Sequence, residues 1–167
     1  MKSQKELVYS ALIAALYCVL TICLAPISFG AVQFRLSEAL VMLAVLSPKY
    51  IAGLTLGCAL SNAIGFFMGV NLLGAADILF GTLATFLACI FSYIFRKVRI
   101  KGLPILSAIF PAIFNGVIIG AEICLVLLNE FSPTLFLIQA LQIAIPEILV
   151  CMTLGLYVVK FAEKRSI

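Results

Sequence analysis

At 167 residues, with 65% hydrophobic and only 11% charged side chains, the chain is too apolar for a soluble domain, which carries about 45–50% apolar and about 25% charged residues. Its net charge of +4 is no nucleic-acid footprint, because the basic residues stand at the ends of apolar segments, where topology signals lie. The sequence has no histidine, which excludes a Ser-His catalytic pair and a histidine-ligated metal hydrolase.

Apolar runs of about 20 residues cross a bilayer as helices, because the backbone must satisfy its own polar groups there. These runs are apolar on all sides, unlike barrel strands, which alternate over about 10 residues. The first segment spans about 7–25 and ends at Pro26. Its lysine-bearing flank resembles a signal peptide, but no small-x-small cleavage site closes it, so a retained helix is expected. Ala11 and Ala15 form an A-x-x-x-A step on one face of its first half. The second segment, about 34–46, follows a loop containing Ser28 and Gly30. Its length of about 13 residues gives ~20 Å at about 1.5 Å per residue, short of a ~30 Å hydrocarbon core. The preceding loop is therefore expected to dip toward the bilayer or to lie on its surface, and it is a candidate lid. The third segment, about 51–68, carries Gly53, Gly57, Ser61, Gly65 and Gly69 at four-residue intervals. Such a stripe lets a neighbouring helix approach closely. The remaining segments are expected at about 77–95, 103–128 and 134–159, within one membrane domain covering residues 1–167.

Six crossings put both termini on one side. Lys2, Lys5, Lys49, the cluster from Arg96 to Lys101, Lys160, Lys164 and Arg165 all fall on that side. The positive-inside rule makes it cytoplasmic. Six cysteines (Cys18, Cys23, Cys58, Cys89, Cys124, Cys151) sit in apolar segments without a C-x-x-C pair. They read as free packing thiols, with neither a disulfide framework nor a metal site expected. No phosphate-binding G-x-x-x-x-G-K-[ST] loop is present, so the chain does not hydrolyse ATP by that route.

Polar residues inside membrane helices usually face the bundle interior or a cavity. Arg35 and Glu38 open the second segment, and i, i+3 spacing places them on one helical face. Asn62 lies in the outer part of the third segment, Asp77 begins the fourth, and Asn115 and Glu122 share a face of the fifth. Gln139, Gln142 and Glu147 follow in the sixth, where Pro146 lacks an N–H for the carbonyl one turn earlier. None of these groups falls in the cytoplasmic third of its helix, a distribution that fits an outward-facing binding cavity better than a proton wire. Four carboxylates (Glu38, Asp77, Glu122, Glu147) face one cation, Arg35. If Arg35 pairs with Glu38, the remaining site is acidic and suits a small cationic or donor-rich heterocycle. Phe29, Phe34, Phe66, Phe67 and Phe80 are candidate apolar faces for its ring. The rival from another class is a self-sufficient proton-coupled carrier or channel, with Glu122 and Glu147 as relay.

Six short helices, the A-x-x-x-A step and an outer pocket resemble the substrate-binding S-components of energy-coupling-factor (ECF) vitamin transporters. More narrowly, the run from Phe29 to Leu40, FGAVQFRLSEAL, resembles the loop and second-helix signature of the QueT family. Asp77 to Thr85, DILFGTLAT, is similar to its fourth-helix signature. The resemblance implies a non-enzymatic subunit that captures a queuosine precursor, a 7-deazaguanine such as preQ1, preQ0 or queuine, outside a bacterial-type plasma membrane. It implies association with a membrane T-component carrying two ATPases, which use the ATP, while this chain holds no cofactor and contacts no nucleic acid. By the same resemblance Ala11 and Ala15 dock on the T-component, and Phe29, Gln33 and Phe34 belong to a lid over the ligand. An S-component for a different vitamin remains the alternative within this class.

Overall fold

The apolar runs fold as helices, and a computed structural model describes them for residues 2–30 and 32–165. Ala31 of the first signature and the side chain of Lys2 lie outside the described residues. Helix α1 (Lys2–Cys23) leads into a single turn, α2 (Ala25–Ser28). A 3-10 helix (Leu36–Val45) precedes α3 (Lys49–Phe67) and α4 (Ala76–Ile94). Helix α5 (Phe110–Glu122) continues through a π turn, Ile123–Leu127. Helix α6 (Pro133–Val150) runs through a second π turn, Cys151–Gly155, into α7 (Leu156–Lys164). Among the described residues, five stretches are long and apolar enough to cross a membrane: Gln4–Cys23, Lys49–Phe67, Ala76–Ile94, Ser107–Leu127 and Pro133–Lys164. Large apolar side chains such as Leu7, Leu79 and Phe67 point outward from them, as lipid-facing surfaces require.

The second segment departs from the α-helix expected of it. Ten residues in 3-10 form rise about 2.0 Å each, so they cover the ~20 Å that an α-helix would need about 13 residues to reach. Runs longer than about four residues are uncommon in this form, and burial explains this one: eight of its ten residues are buried. It is the central strut of the bundle. Its Leu40, Val41 and Ala44 pack with Tyr17, Leu54 and Cys89 in one cluster, and its Met42 and Val45 with Cys151 and Val159 in another. The loop before it folds inward, with Ser28 and Phe29 buried and the Phe34 amide bonded to the Ile27 carbonyl at 2.8 Å.

The small-residue stripe of α3 receives α1. A Cβ on Gly53 would stand 2.5 Å from the Ser10 carbonyl oxygen, and one on Gly57 would stand 2.8 Å from Tyr17 Cβ and 3.0 Å from the Ala14 carbonyl. Ser10, Ala14 and Tyr17, spaced by four and three, form the matching face of α1. Gly65 accepts the Phe29 ring. Gly69 ends the stripe differently, meeting open space at φ +70° beyond the end of α3. A second close approach, unread in the sequence, sets Gly116 and Gly120 of α5 against the Ala140 backbone of α6.

Three boundaries move by four residues or more, the first helix already beginning at Lys2 rather than at about 7. The fifth segment begins at 107 rather than 103, because Ile100 and Leu103 pair across a tight turn with positive φ at Lys101 and Gly102. The sixth extends to Lys164, with Pro146 kept inside α6. The bundle has two distinct ends. Gly30 and Gln33, and Leu72 and Leu73, come from two connections and meet Leu127 and Leu128, at the end of the first π turn, around one pocket. At the other end Arg99 bonds Glu163, and Lys49 lies over the Tyr9 and Tyr50 rings.

Candidate functional site

The pocket at the first end has a volume of about 190 Å³, small beside the ~300–1,000 Å³ typical of drug-sized ligands. Its polar lining is supplied by Gln33 of the inward-folded loop and by Gln139 and Gln142, one turn apart on α6. Leu73 and Ile123 give it an apolar lining that continues into a small buried cluster with Ile119 and Ile143. An amide offers a donor and an acceptor side by side, and leucine and isoleucine walls present flat apolar surface, so the chamber suits a small polar-edged ring.

Asp77 is the knot that holds this end together. Arg35 Nη2 donates to its Oδ2 at 2.8 Å, and Asn71 Nδ2 donates to the same oxygen at 2.9 Å. Asn62 Nδ2 donates to the Asp77 backbone carbonyl at 2.7 Å. Arg35 also donates through Nε to the Ser28 carbonyl at 3.2 Å, and its guanidinium lies 5.3 Å from the Phe29 ring centroid. Asn71 Oδ1 accepts the Leu73 amide at 3.0 Å. One carboxylate therefore fixes both the loop that carries Gln33 and the connection that carries Leu72 and Leu73. Gly81, one turn along α4, makes room for it: a Cβ there would collide with the Asp77 carboxylate and stand 2.5 Å from Asn62 Nδ2.

The pairing of Arg35 with Glu38 expected from their spacing does not form. Arg35 caps the 3-10 helix in extended conformation, at φ −91° and ψ 101°, so helical spacing does not govern it. Its partner is 42 residues away. Glu38 instead accepts from the Tyr17 hydroxyl, and Thr21 and Ser37 hydroxyls meet beside it at 2.7 Å. Across the bundle Glu147 accepts from Asn115 Nδ2, and its carboxyl neighbours that of Glu38. Glu122 is buried with both carboxyl oxygens lacking a hydrogen-bond partner among the described residues. Glu38 Oε2, Asp77 Oδ1 and Asn62 Oδ1 are likewise bare.

All nine polar residues singled out in the sequence are thus withdrawn from the outer surface: Arg35, Glu38, Asn62, Asp77, Asn115, Glu122 and Glu147 are buried, and Gln139 and Gln142 half-buried. They divide into a pocket wall (Gln139, Gln142), a structural knot (Arg35, Asn62, Asp77) and an acid layer (Glu38, Asn115, Glu147), with Glu122 standing by itself. Phe29 is a buried wedge between Gly65 and Arg35, and Phe34 is half-buried. Phe66, Phe67 and Phe80 point outward, 40%, 84% and 39% exposed, which corrects their candidacy as ring faces inside the site. Ala11 and Ala15 lie on an exposed face of α1, and Ala14 between them is buried against α3. Sequence reasoning missed Tyr17 and Asn71. Tyr17 had a signal, since a tyrosine deep in an apolar run needs a partner for its hydroxyl. Among the described residues no group of three or more Cys, Asp or Glu side chains is placed to hold a metal ion.

Residues 7–164 match the model of the QueT transporter family. The queuosine precursor transporter QueT of Lactococcus lactis subsp. cremoris (strain MG1363) is 44% identical over 70 residues. That stretch spans 40% of this chain and 41% of the relative's length. No solved structure matches the chain.

Proposed function

The chain belongs to the QueT transporter family, and we propose that it is the S-component of an ECF importer that captures queuosine precursors outside the cell. It is a multi-pass membrane protein, and in this reading it forms one membrane domain in a bacterial plasma membrane. The 3-10 helix is the sixth crossing, so both termini are cytoplasmic and the pocket end faces outward. The chain supplies recognition and no chemistry. ATP is used by two ATPase partners, and a T-component docks on the face bearing Ala11 and Ala15.

The observation that carries this reading is the segregation of the two ends. Gln33, Gln139 and Gln142 line a pocket at one end, with the buried Asp77 knot holding the loops beside it, and the clustered cations occupy the opposite end. A 7-deazaguanine has a flat ring with N–H donors and a carbonyl along one edge. Glutamine amides complement that edge, and leucine and isoleucine side chains cover the ring.

The test is uptake of labelled 7-deazaguanine in cells lacking their own route. Cells expressing the chain with the T-component and both ATPases are expected to accumulate it, and an ATPase lysine substitution is expected to abolish uptake. The neighbouring carboxyls of Glu38 and Glu147 favour one rival, a stand-alone proton-coupled carrier. Accumulation by the chain alone, abolished by a protonophore, would establish that rival and refute the importer reading. Binding of a different vitamin with no deazaguanine binding would move the chain to another S-component specificity.

A further inference from the structure

The last helix carries a surface that ligand capture at the outer pocket does not use. Tyr157, Lys160, Phe161, Lys164 and Arg165 line one concavity of about 580 Å³. Their spacing of three, one, three and one puts them on a single face of α7. The opposite face is packed, with Leu156, Val159 and Ala162 buried. Glu163, the acid of this helix, is taken up by Arg99. Among the described residues no carboxylate lines the concavity, and the ion pairs are Arg35 with Asp77 and Arg99 with Glu163. Three cations are therefore gathered on this face without a counter-charge.

Their order along the helix points to what supplies it. Tyr157 and Phe161 stack with ring centroids 6.3 Å apart and planes at 22°, and both rings are exposed. Arg165 lies over the Phe161 ring at 4.8 Å. The rings begin deeper in the candidate span Pro133–Lys164, and the cations close it. Lys160 and Arg165, five residues apart, are separated by ~8 Å of helix rise. Aromatic rings settle at the boundary of a bilayer, and long basic side chains lay their stems on apolar surface while the charge reaches the phosphates. A soluble anion would leave the two rings uncovered. A lipid covers them with an acyl chain and brings a phosphate to the cations, and basic pockets on membrane helices take anionic headgroups in this way.

We propose that this face of α7 binds one anionic phospholipid, its phosphodiester held by Lys160, Lys164 and Arg165 and an acyl chain lying along Tyr157 and Phe161. The site stands at the end of the bundle opposite the outer pocket and does not depend on which solute that pocket takes.

The experiment is native mass spectrometry of the full chain in detergent micelles, titrated with dioleoyl phosphatidylglycerol or with dioleoyl phosphatidylcholine, which has the same acyl chains and no net charge. The wild type is expected to bind one phosphatidylglycerol at least tenfold tighter than phosphatidylcholine. Lys160→Gln/Lys164→Gln/Arg165→Gln is expected to reduce that ratio below threefold. Lys97→Gln/Lys101→Gln, which removes two cations of the same end but none from the site, is expected to keep it. Equal wild-type affinities, a preference that survives the triple variant, or an equal loss in both variants would overturn the site, the last by reducing it to diffuse charge. Lipid preference intact in the triple variant, with co-purification of the T-component lost, would assign the face to a protein partner and overturn it as well. If the triple variant does not purify, Arg165→Gln alone is expected to lose phosphatidylglycerol affinity at least threefold at unchanged phosphatidylcholine affinity, and no such loss would overturn the proposal.

Discussion

Asp77→Asn is the sharpest perturbation of the pocket end. The substitution keeps the side chain's shape and removes its charge, leaving the Arg35 guanidinium, 7% exposed, without a buried counter-charge. Breaking a buried pair by removing one partner costs about 3–5 kcal/mol, mostly the penalty of the stranded charge. Asparagine can still accept from Asn71, so the expected loss is near the lower end, about 3 kcal/mol. The double variant Arg35→Met/Asp77→Asn removes the stranded charge as well and is expected to lose only about 1 kcal/mol, because apolar replacement of a whole buried pair is often near neutral. The two sites should therefore couple by about 2 kcal/mol or more in a double-mutant cycle. The protein carries its own reporter: Cys58, Cys89, Cys124 and Cys151 are buried free thiols, so a thiol-reactive fluorophore follows unfolding in detergent. Because the same carboxylate fixes the loops bearing Gln33 and Leu73, ligand affinity should fall with stability in the single variant. A single variant that unfolds like the wild type, or a double variant no more stable than the single, would refute the role assigned to Asp77.

Three further outcomes follow from the same geometry. Gly53→Ala places a methyl against the Ser10 backbone, which cannot rotate away, so thiol-probe unfolding should report a loss of about 1–3 kcal/mol; Gly69→Ala meets only open space and acts through its positive φ alone, which costs about 1 kcal/mol. Tyr17→Phe strips the buried Glu38 carboxyl of its hydroxyl donor, with an expected loss of about 1–3 kcal/mol by the same assay. Ala11→Trp and Ala15→Trp, on an exposed face, should change stability by no more than about 0.5 kcal/mol and leave ligand affinity intact; co-purification with the T-component should be lost, and its survival in both variants would remove that face as the docking surface.

What could be read from the chain and what could not divide along a physical line. Hydropathy over a run of residues is a bulk property, summed over many side chains, so the apolar helices and the gathering of cations at one end are legible without knowing which residue touches which. The glycine stripe of α3 is legible for a related reason: close helix approach needs small residues at a fixed period, and the period is visible as far as Gly65. Pairing among buried polar groups is a property of single atoms. Arg35 and Glu38 sit three apart, and that spacing argues contact only if both residues are helical. Arg35 is extended, and its charge is met by Asp77, a residue distant in sequence that lies beside it once α4 packs.

The 3-10 strut sharpens the same point. Its apolar residues carry no mark of the tighter winding, because that winding is imposed by neighbours on every side rather than by local preference. Leu36–Val45 as an isolated peptide would have no reason to choose it. Gly155 shows how close the surrounding packing is: a Cβ there would stand 2.7 Å from Met42 Cγ, so the second π turn, just before α7, and the strut meet without slack. At the strut's other end Arg35 and Glu38 reach the knot and the acid layer respectively. A motion of the pocket-closing loop is therefore joined, through one buried rod of ten residues, to the packing of the last helix, which bonds through Glu163 to the Arg99 turn. The strut is the shortest covalent path in the chain between the pocket end and the basic end, and both signature residues of its first turn are spent on holding it in place.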